Sequence, residues 1–223
     1  MIEARDLTKS FDKKKVIDGI DFEVDKNEIK SVVGPSGCGK TTLLKILMDL
    51  ETPDRGNYSF EGDRSIVFQD PRLLPWKTVE ENIRISESLS DKDISDEKVN
   101  TLLKKIGLKD YGNSYPHELS GGMRQRAGFA RALATSPDII LLDEPFSSLD
   151  YVTKENLKQD FLEIVEEENL TCIYVTHNLE DAIDLGDNLI VLQQNPGKIV
   201  GEWDTSEIQD KLEIEKILLN NSI

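Results

Sequence analysis

Residues Gly34-Pro35-Ser36-Gly37-Cys38-Gly39-Lys40-Thr41-Thr42 carry three glycines, a lysine and paired hydroxyls in the spacing G-x-x-x-x-G-K-[ST]. The chemistry that suits them is recognition of a phosphate chain. Gly34, Gly37 and Gly39 let the backbone take tight or left-handed conformations and turn its N–H groups inward. Pro35, Ser36 and Cys38 fill the variable positions, with Cys38 read as a small neutral filler rather than a redox group. A helix beginning near Lys40 adds the positive end of its dipole. Lys40 is expected to bridge the β- and γ-phosphates of a nucleoside triphosphate, and the Thr41 hydroxyl to ligate Mg²⁺.

Two further groups lie downstream. Ile139-Ile140-Leu141-Leu142-Asp143-Glu144-Pro145 delivers a carboxylate pair at the end of an apolar run, where an open α/β sheet has its binding crevice. Asp143 is expected to orient Mg²⁺, directly or through water, and Glu144 to polarise the attacking water as general base. Taken alone, such a pair serves equally well to cap a helix. Leu119-Ser120-Gly121-Gly122-Met123, followed by Arg124-Gln125-Arg126, opens another helix. Ser120 would cap it, and the same free N–H donors would bind an anion. A cap needs no double glycine, and Arg124, Arg126 and Arg131 add positive charge, each phosphate contact contributing about 1.5–3 kcal/mol. One triphosphate does not need two such cradles from a single chain. The pair therefore points to ATP held between two copies of the protein.

These groups require strands to carry them and helices to start at them. Ile29–Val33, Ile139–Leu142 and Thr171–Thr176 read as buried parallel strands, apolar on both faces. Helical stripes separate them: Leu43, Leu44, Leu47 and Leu50; Met123, Ala127, Ala130 and Ala134; Leu157, Phe161, Ile164 and Val165. Strands alternating with helices imply a parallel sheet with right-handed crossovers. Residues 2–8, 20–24, 57–61 and 65–69 alternate instead and read as a small antiparallel sheet. Asn195-Pro196-Gly197 is a turn signal between Leu189–Gln193 and Lys198–Glu202, a hairpin. From about Gln69 to Thr135 the chain reads as helical.

Composition narrows the classes. The 223 residues suit one large α/β domain, and a net charge of −16 opposes a nucleic-acid surface, which needs a basic patch to displace counterions. The start, Met1-Ile2-Glu3-Ala4-Arg5-Asp6, lacks the basic-then-apolar order of an export peptide, and no apolar run is long enough to span a bilayer. Two cysteines, Cys38 and Cys172, make no disulfide framework and fit a reducing cytosol.

Gly34–Thr42, Gln69, Leu119–Met123, Ile139–Glu144, Ser148-Leu149-Asp150 and His177 stand in the order that resembles ATP-binding-cassette ATPases, over essentially the whole chain. The resemblance implies an α/β fold: a P-loop NTPase (RecA-like) parallel-sheet core with an N-terminal antiparallel β subdomain and an inserted α-helical subdomain. Residues 1–223 would form one ATPase domain, with 1–68 and 136–223 as the core and 69–135 as the helical subdomain. It further implies a head-to-tail homodimer when ATP is bound, in which Ser120, Gly121 and Gly122 contact the γ-phosphate held by the partner subunit. Gln69 would reach Mg²⁺ and the attacking water, His177 would contact the γ-phosphate, Asp150 would couple the two sites, and Phe11 would stack on adenine. A separate transmembrane permease would dock near Gln69–Trp76, placing the subunit peripherally on the cytoplasmic face of the membrane, with a solute-binding protein as an indirect partner. Trp76 itself reads either as core or as the exposed anchor for that permease.

Leu73-Leu74-Pro75-Trp76 and Tyr115-Pro116-His117-Glu118 are similar to importers of the nitrate, sulfonate and taurine type. The Glu61–Arg64 connection and the Ser86–Lys98 stretch are shorter than in those importers, which leaves the cargo open. An exporter or lipoprotein-release ATPase belongs to the same family. A non-transport cassette ATPase would carry coiled-coil insertions or basic surfaces that this chain lacks. A simple kinase or GTPase would leave Leu119–Met123 and His177 unexplained.

Overall fold

The computed structural model of the chain describes residues 1–88 and 93–220, so positions 89–92 of the Ser86–Lys98 stretch lie outside the described residues. Two compact units divide the chain, Met1–Gly62 with Leu170–Ile223, and Asp63–Asn169. The first opens with β1 (Ile2–Phe11), β2 (Lys14–Val24), β3 (Ile29–Val33), α1 (Lys40–Leu47) and β4 (Arg55–Phe60). The second holds β5 (Arg64–Val67), α2 (Val79–Arg84), α3 (Asp96–Lys105), α4 (Gly121–Leu133), β6 (Ile139–Asp143) and α5 (Tyr151–Glu168). The chain then completes the first unit with β7 (Thr171–Thr176), α6 (Leu179–Leu185), β8 (Asn188–Gln193), β9 (Lys198–Asp204) and α7 (Lys211–Asn220).

In the first unit β1 lies between β2 and β4, antiparallel to both, with Ile2 opposite Val24 on one side and Phe60 on the other. Asp12 and Lys13 turn β1 into β2 with φ of 48° and 66°, both left-handed, as a two-residue hairpin turn matched to strand twist requires. Strand β3 pairs in parallel with β7 and with β8, and β9 runs antiparallel along β8. Every residue of β3 is buried, including Lys30. Its ammonium is held by Glu202 at 2.7 Å and Glu28 at 3.2 Å, and Glu28 also accepts from the Asn188 amide at 2.9 Å. Such pairing is what makes a buried charge tolerable. Val33, Leu179, Ala182, Leu189, Val191 and Ile214 form a core between strands and helices.

The second unit pairs β5 with β6 in parallel, from Arg64 opposite Ile139 to Val67 opposite Leu142. This corrects the expectation that 65–69 joins the antiparallel sheet; a four-residue strand carries too little alternation to name its partner. Phe129 of α4, Phe146 and Phe161 of α5 converge with ring centroids 5.6–6.1 Å apart. Between Gln69 and Thr135 the described residues form helices and turns and no strand. The Leu43-Leu44-Leu47 stripe is buried as expected, but α1 ends at Leu47 and Asp49 turns left-handed with φ 55°, so Leu50 falls outside the helix and is exposed. No helix of the described residues is long and apolar enough to cross a membrane.

Candidate active site

The phosphate-loop residues follow from the strand–helix junction of the first unit. β3 ends at Val33, the Cys38 N–H closes a turn on the Pro35 carbonyl at 3.3 Å, and the Leu43 N–H donates to the Gly39 carbonyl at 2.9 Å to start α1. Gly39 caps that helix with φ 101°, a conformation other residues rarely adopt, and a Cβ there would overlap Ile17 of β2. Gly34, Cys38, Gly39 and Lys40 are buried, Pro35 and Thr42 half-buried, and Ser36, Gly37 and Thr41 exposed. The Lys40 ammonium donates to the carbonyls of Gly34 at 2.7 Å and Pro35 at 3.1 Å, which holds it across its own loop.

Phe11 stands at the β1–β2 turn, 40% exposed, with the Lys9 ammonium 5.1 Å from its ring centroid. Lys9 is anchored in turn on the Thr52 carbonyl at 2.7 Å. The exposed His177 directly follows β7. The next residue, Asn178, caps α6 by accepting from the Asp181 N–H at 3.0 Å, so strand end and helix start fix the backbone on both sides of the imidazole.

The second unit carries the remaining groups. Asp143 is the last residue of β6 and is buried; Glu144 is half-buried. Glu144 has φ 49° although a proline follows it. A left-handed non-glycine residue costs about 1–3 kcal/mol, and such strain persists only where neighbours enforce it. Gln69 is exposed at the end of a segment gripped by α4. The Gln125 amide donates to the Phe68 carbonyl at 3.1 Å, Arg131 donates to the carbonyls of Pro71 and, at 2.9 Å, Arg72, and Pro71 fills the space against Gly128. Burial draws the Arg131 guanidinium below its ordinary pKa. Trp76, on the same segment, is 69% exposed.

At the start of α4 the Ser120 hydroxyl accepts from the Met123 N–H at 3.2 Å, the cap expected of it. Ser120 and Gly121 are exposed, while Gly122 is buried where a Cβ would meet the Thr153 methyl at 2.5 Å. Thr153 also donates its N–H to Asp150 at 3.1 Å, capping α5. Thr153 thus joins the Ser120–Gly122 turn to Asp150, and bonding to Thr153 holds the Asp150 carboxyl below the usual carboxylate range. Thr153 carries no signal in the sequence beyond its place three residues after an aspartate able to cap a helix. The three arginines expected to add charge near this helix start each have a partner within the second unit. Arg124 donates to the Leu119 carbonyl at 2.6 Å, Arg126 pairs with Asp160 and bonds the Ile106 carbonyl at 3.2 Å, and Arg131 holds Pro71 and Arg72. Their charge serves internal bonds, because long side chains at these helix positions reach neighbouring backbone first.

The first unit carries a glycine-rich helix start with an ammonium, and the second carries a carboxylate pair at a strand end and another glycine-rich helix start, each a kind of group that triphosphate chemistry uses. A family model described as ABC transporter matches residues 17–147. The aliphatic sulfonates import ATP-binding protein of Bacillus cereus is 40% identical over 210 residues, covering 89% of this chain and 83% of that protein. The bicarbonate transport ATP-binding protein of Synechococcus elongatus is 40% identical over 195 residues, covering 82% of this chain and 29% of that protein. Among solved structures, a dimeric ATP-binding cassette in a post-hydrolysis state with ADP and Pi superposes with a TM-score of 0.80 at 28% identity, covering 92% of this chain and 99% of that one. The chain belongs to the ABC transporter family, as an ATP-binding subunit whose ATPase drives transport.

Proposed function

We propose that this ATPase powers an importer of small anions such as nitrate, sulfonate or taurine, working as a homodimer that sandwiches two ATP between phosphate loop and Ser120–Gly122. The observation that carries the sandwich is the start of α4: Ser120 and Gly121 are exposed beside a buried Gly122, a helix start open to a second subunit. Relatives named for sulfonates and for bicarbonate share small anions as cargo.

In this reading Gly34–Thr42 hold the phosphate chain, Phe11 stacks on adenine, and Glu144 accepts the proton of the attacking water. His177 positions that water against the γ-phosphate. The Thr41 hydroxyl, Asp143 carboxylate and Gln69 amide are hard oxygen donors of the kind Mg²⁺ takes, and the ion would neutralise charge on the β- and γ-phosphates. Asp150, tied to Ser120–Gly122 through Thr153, couples the two sites. The exposed Trp76 is the anchor for a separate transmembrane permease along Gln69–Trp76, so the subunit sits peripherally on the cytoplasmic face of the membrane. A solute-binding protein acts through that permease, and no nucleic acid is involved.

Ser120→Arg tests the sandwich. The variant is expected to bind ATP as a monomer with unchanged affinity, yet to form no ATP-dependent dimer by size exclusion and to release no phosphate. Hydrolysis at the unsubstituted rate would end this reading.

A further inference from the structure

The Asn195-Pro196-Gly197 turn between β8 and β9 lies against the phosphate loop. Gly197 is buried and stitched to β2 in both directions: its N–H donates to the Val16 carbonyl at 2.8 Å, and its carbonyl accepts from the Asp18 N–H at 3.0 Å. A Cβ on Gly197 would overlap the Cys38 carbonyl oxygen and lie 3.0 Å from the Val16 carbonyl oxygen. Gly197 is not among the residues with positive φ, so space, not backbone conformation, is what requires glycine here. β8 presses on the loop in the same way, since a Cβ on Gly34 would lie 2.7 Å from the Leu192 carbonyl oxygen and 2.8 Å from the Cys38 sulfur. β2 closes a third side through Ile17 against Gly39. At the exposed rim, Lys198 of β9 pairs with Asp18 of β2 at 2.9 Å.

The Cys38 carbonyl and the Gly39 N–H share one planar trans peptide, so they point in opposite directions. Whatever stands behind that carbonyl therefore aims that N–H. We propose that Gly197 is a positioning residue of the nucleotide site: by packing behind the Cys38 carbonyl without a side chain, it directs the Gly39 N–H toward the bound phosphates. This rests on the reading of Gly34–Thr42 as the phosphate loop. The β8–β9 hairpin is then a wall of the ATP site rather than a sheet edge only.

Gly197→Ala adds one methyl to this contact. Affinities for ATP and for inorganic triphosphate, measured by calorimetry, are expected to fall by the same factor, about tenfold, because the disturbed donor faces phosphate and not the base. Cys38 is the internal reporter. Its alkylation by N-ethylmaleimide is expected to speed up several-fold, while Cys172 stays silent because burial pushes its thiol pKa up. A second variant, Asp18→Ala with Lys198→Ala, unfastens the rim without adding an atom and is expected to change both readouts in the same direction, by about threefold. Unchanged affinity and labelling in both variants overturn the proposal, as does a loss for ATP that spares inorganic triphosphate. A lowered Tm with both readouts unchanged overturns it too. If Gly197→Ala does not fold, the double variant decides by the same two measurements. Unsubstituted protein that binds neither ligand, or a Lys40→Ala variant that binds both normally, would instead overturn the phosphate-loop reading itself.

Discussion

Glu144 combines a carboxylate beside a buried Asp143 with a left-handed backbone, φ 49°, directly before a proline. Held conformations of this kind fix where a side chain points, which is what a general base needs. Glu144→Gln keeps the shape and removes the proton acceptor. Steady-state phosphate release is expected to drop by about 100-fold or more, with ATP binding retained and a dimer trapped on size exclusion. Near-normal turnover in that variant would exclude Glu144 as the base. Asp150 gives a pH-dependent prediction. Its folded-state pKa is lowered by bonding to Thr153, so its stabilisation is present above the unfolded value of about 3.9 and is lost as pH falls through the folded value. The Tm difference between the unsubstituted protein and Asp150→Ala should be constant from neutral pH down to mildly acid conditions and shrink below that value. A difference that instead grows on acidification would show that the cap is not the source of the stabilisation.

At the scale of elements, α4 does two jobs: its N-terminal turn presents Ser120–Gly122, and its body holds the backbone of 68–72 through Gln125, Gly128 and Arg131. Arg131→Met retains the aliphatic stem and leaves two carbonyl bonds unmade. Charge-assisted bonds of this kind contribute about 1.5–3 kcal/mol, so stability by urea titration should fall by roughly 2 kcal/mol. Hydrogen exchange at residues 68–74 should rise, and exchange confined to the far end of α4 would contradict the grip. This double role was only partly legible in the chain. The helix start declared itself through Ser120 and two glycines, and the phosphate loop through a nine-residue pattern, since both are local. The duties of Arg126 and Arg131 were not legible, because their partners Asp160, Ile106, Pro71 and Arg72 come from other turns of the chain. The same holds for β5, whose composition says strand but whose parallel partner β6 lies beyond three helices.

At the scale of the whole molecule, the proposed coupling to a separate permease calls for an exposed patch on this chain, and no helix of its described residues is long and apolar enough to cross a membrane. Trp76, 69% exposed, is the anchor in the proposed reading, since tryptophans that become buried at an interface dominate its energetics. Trp76→Ala is expected to weaken capture by permease-containing vesicles by about 30-fold, equivalent to a hot-spot loss near 2 kcal/mol. ATP binding by the isolated chain should stay unchanged; equal capture by both proteins would remove Trp76 from the contact. By itself the sequence determined the local chemistry: the glycine–lysine–hydroxyl loop, the carboxylates ending β6, the cap at Ser120 and the strands that bear them. Each depends on neighbours within a few residues, where spacing along the chain and spacing in space coincide. Only the tertiary structure decided that Asn195-Pro196-Gly197 is more than a turn, that Thr153 joins Gly122 to Asp150, and that the arginines behind Ser120 are held internally. Those contacts form where distant segments meet, and steric fit between them leaves no periodicity in the chain from which it can be read.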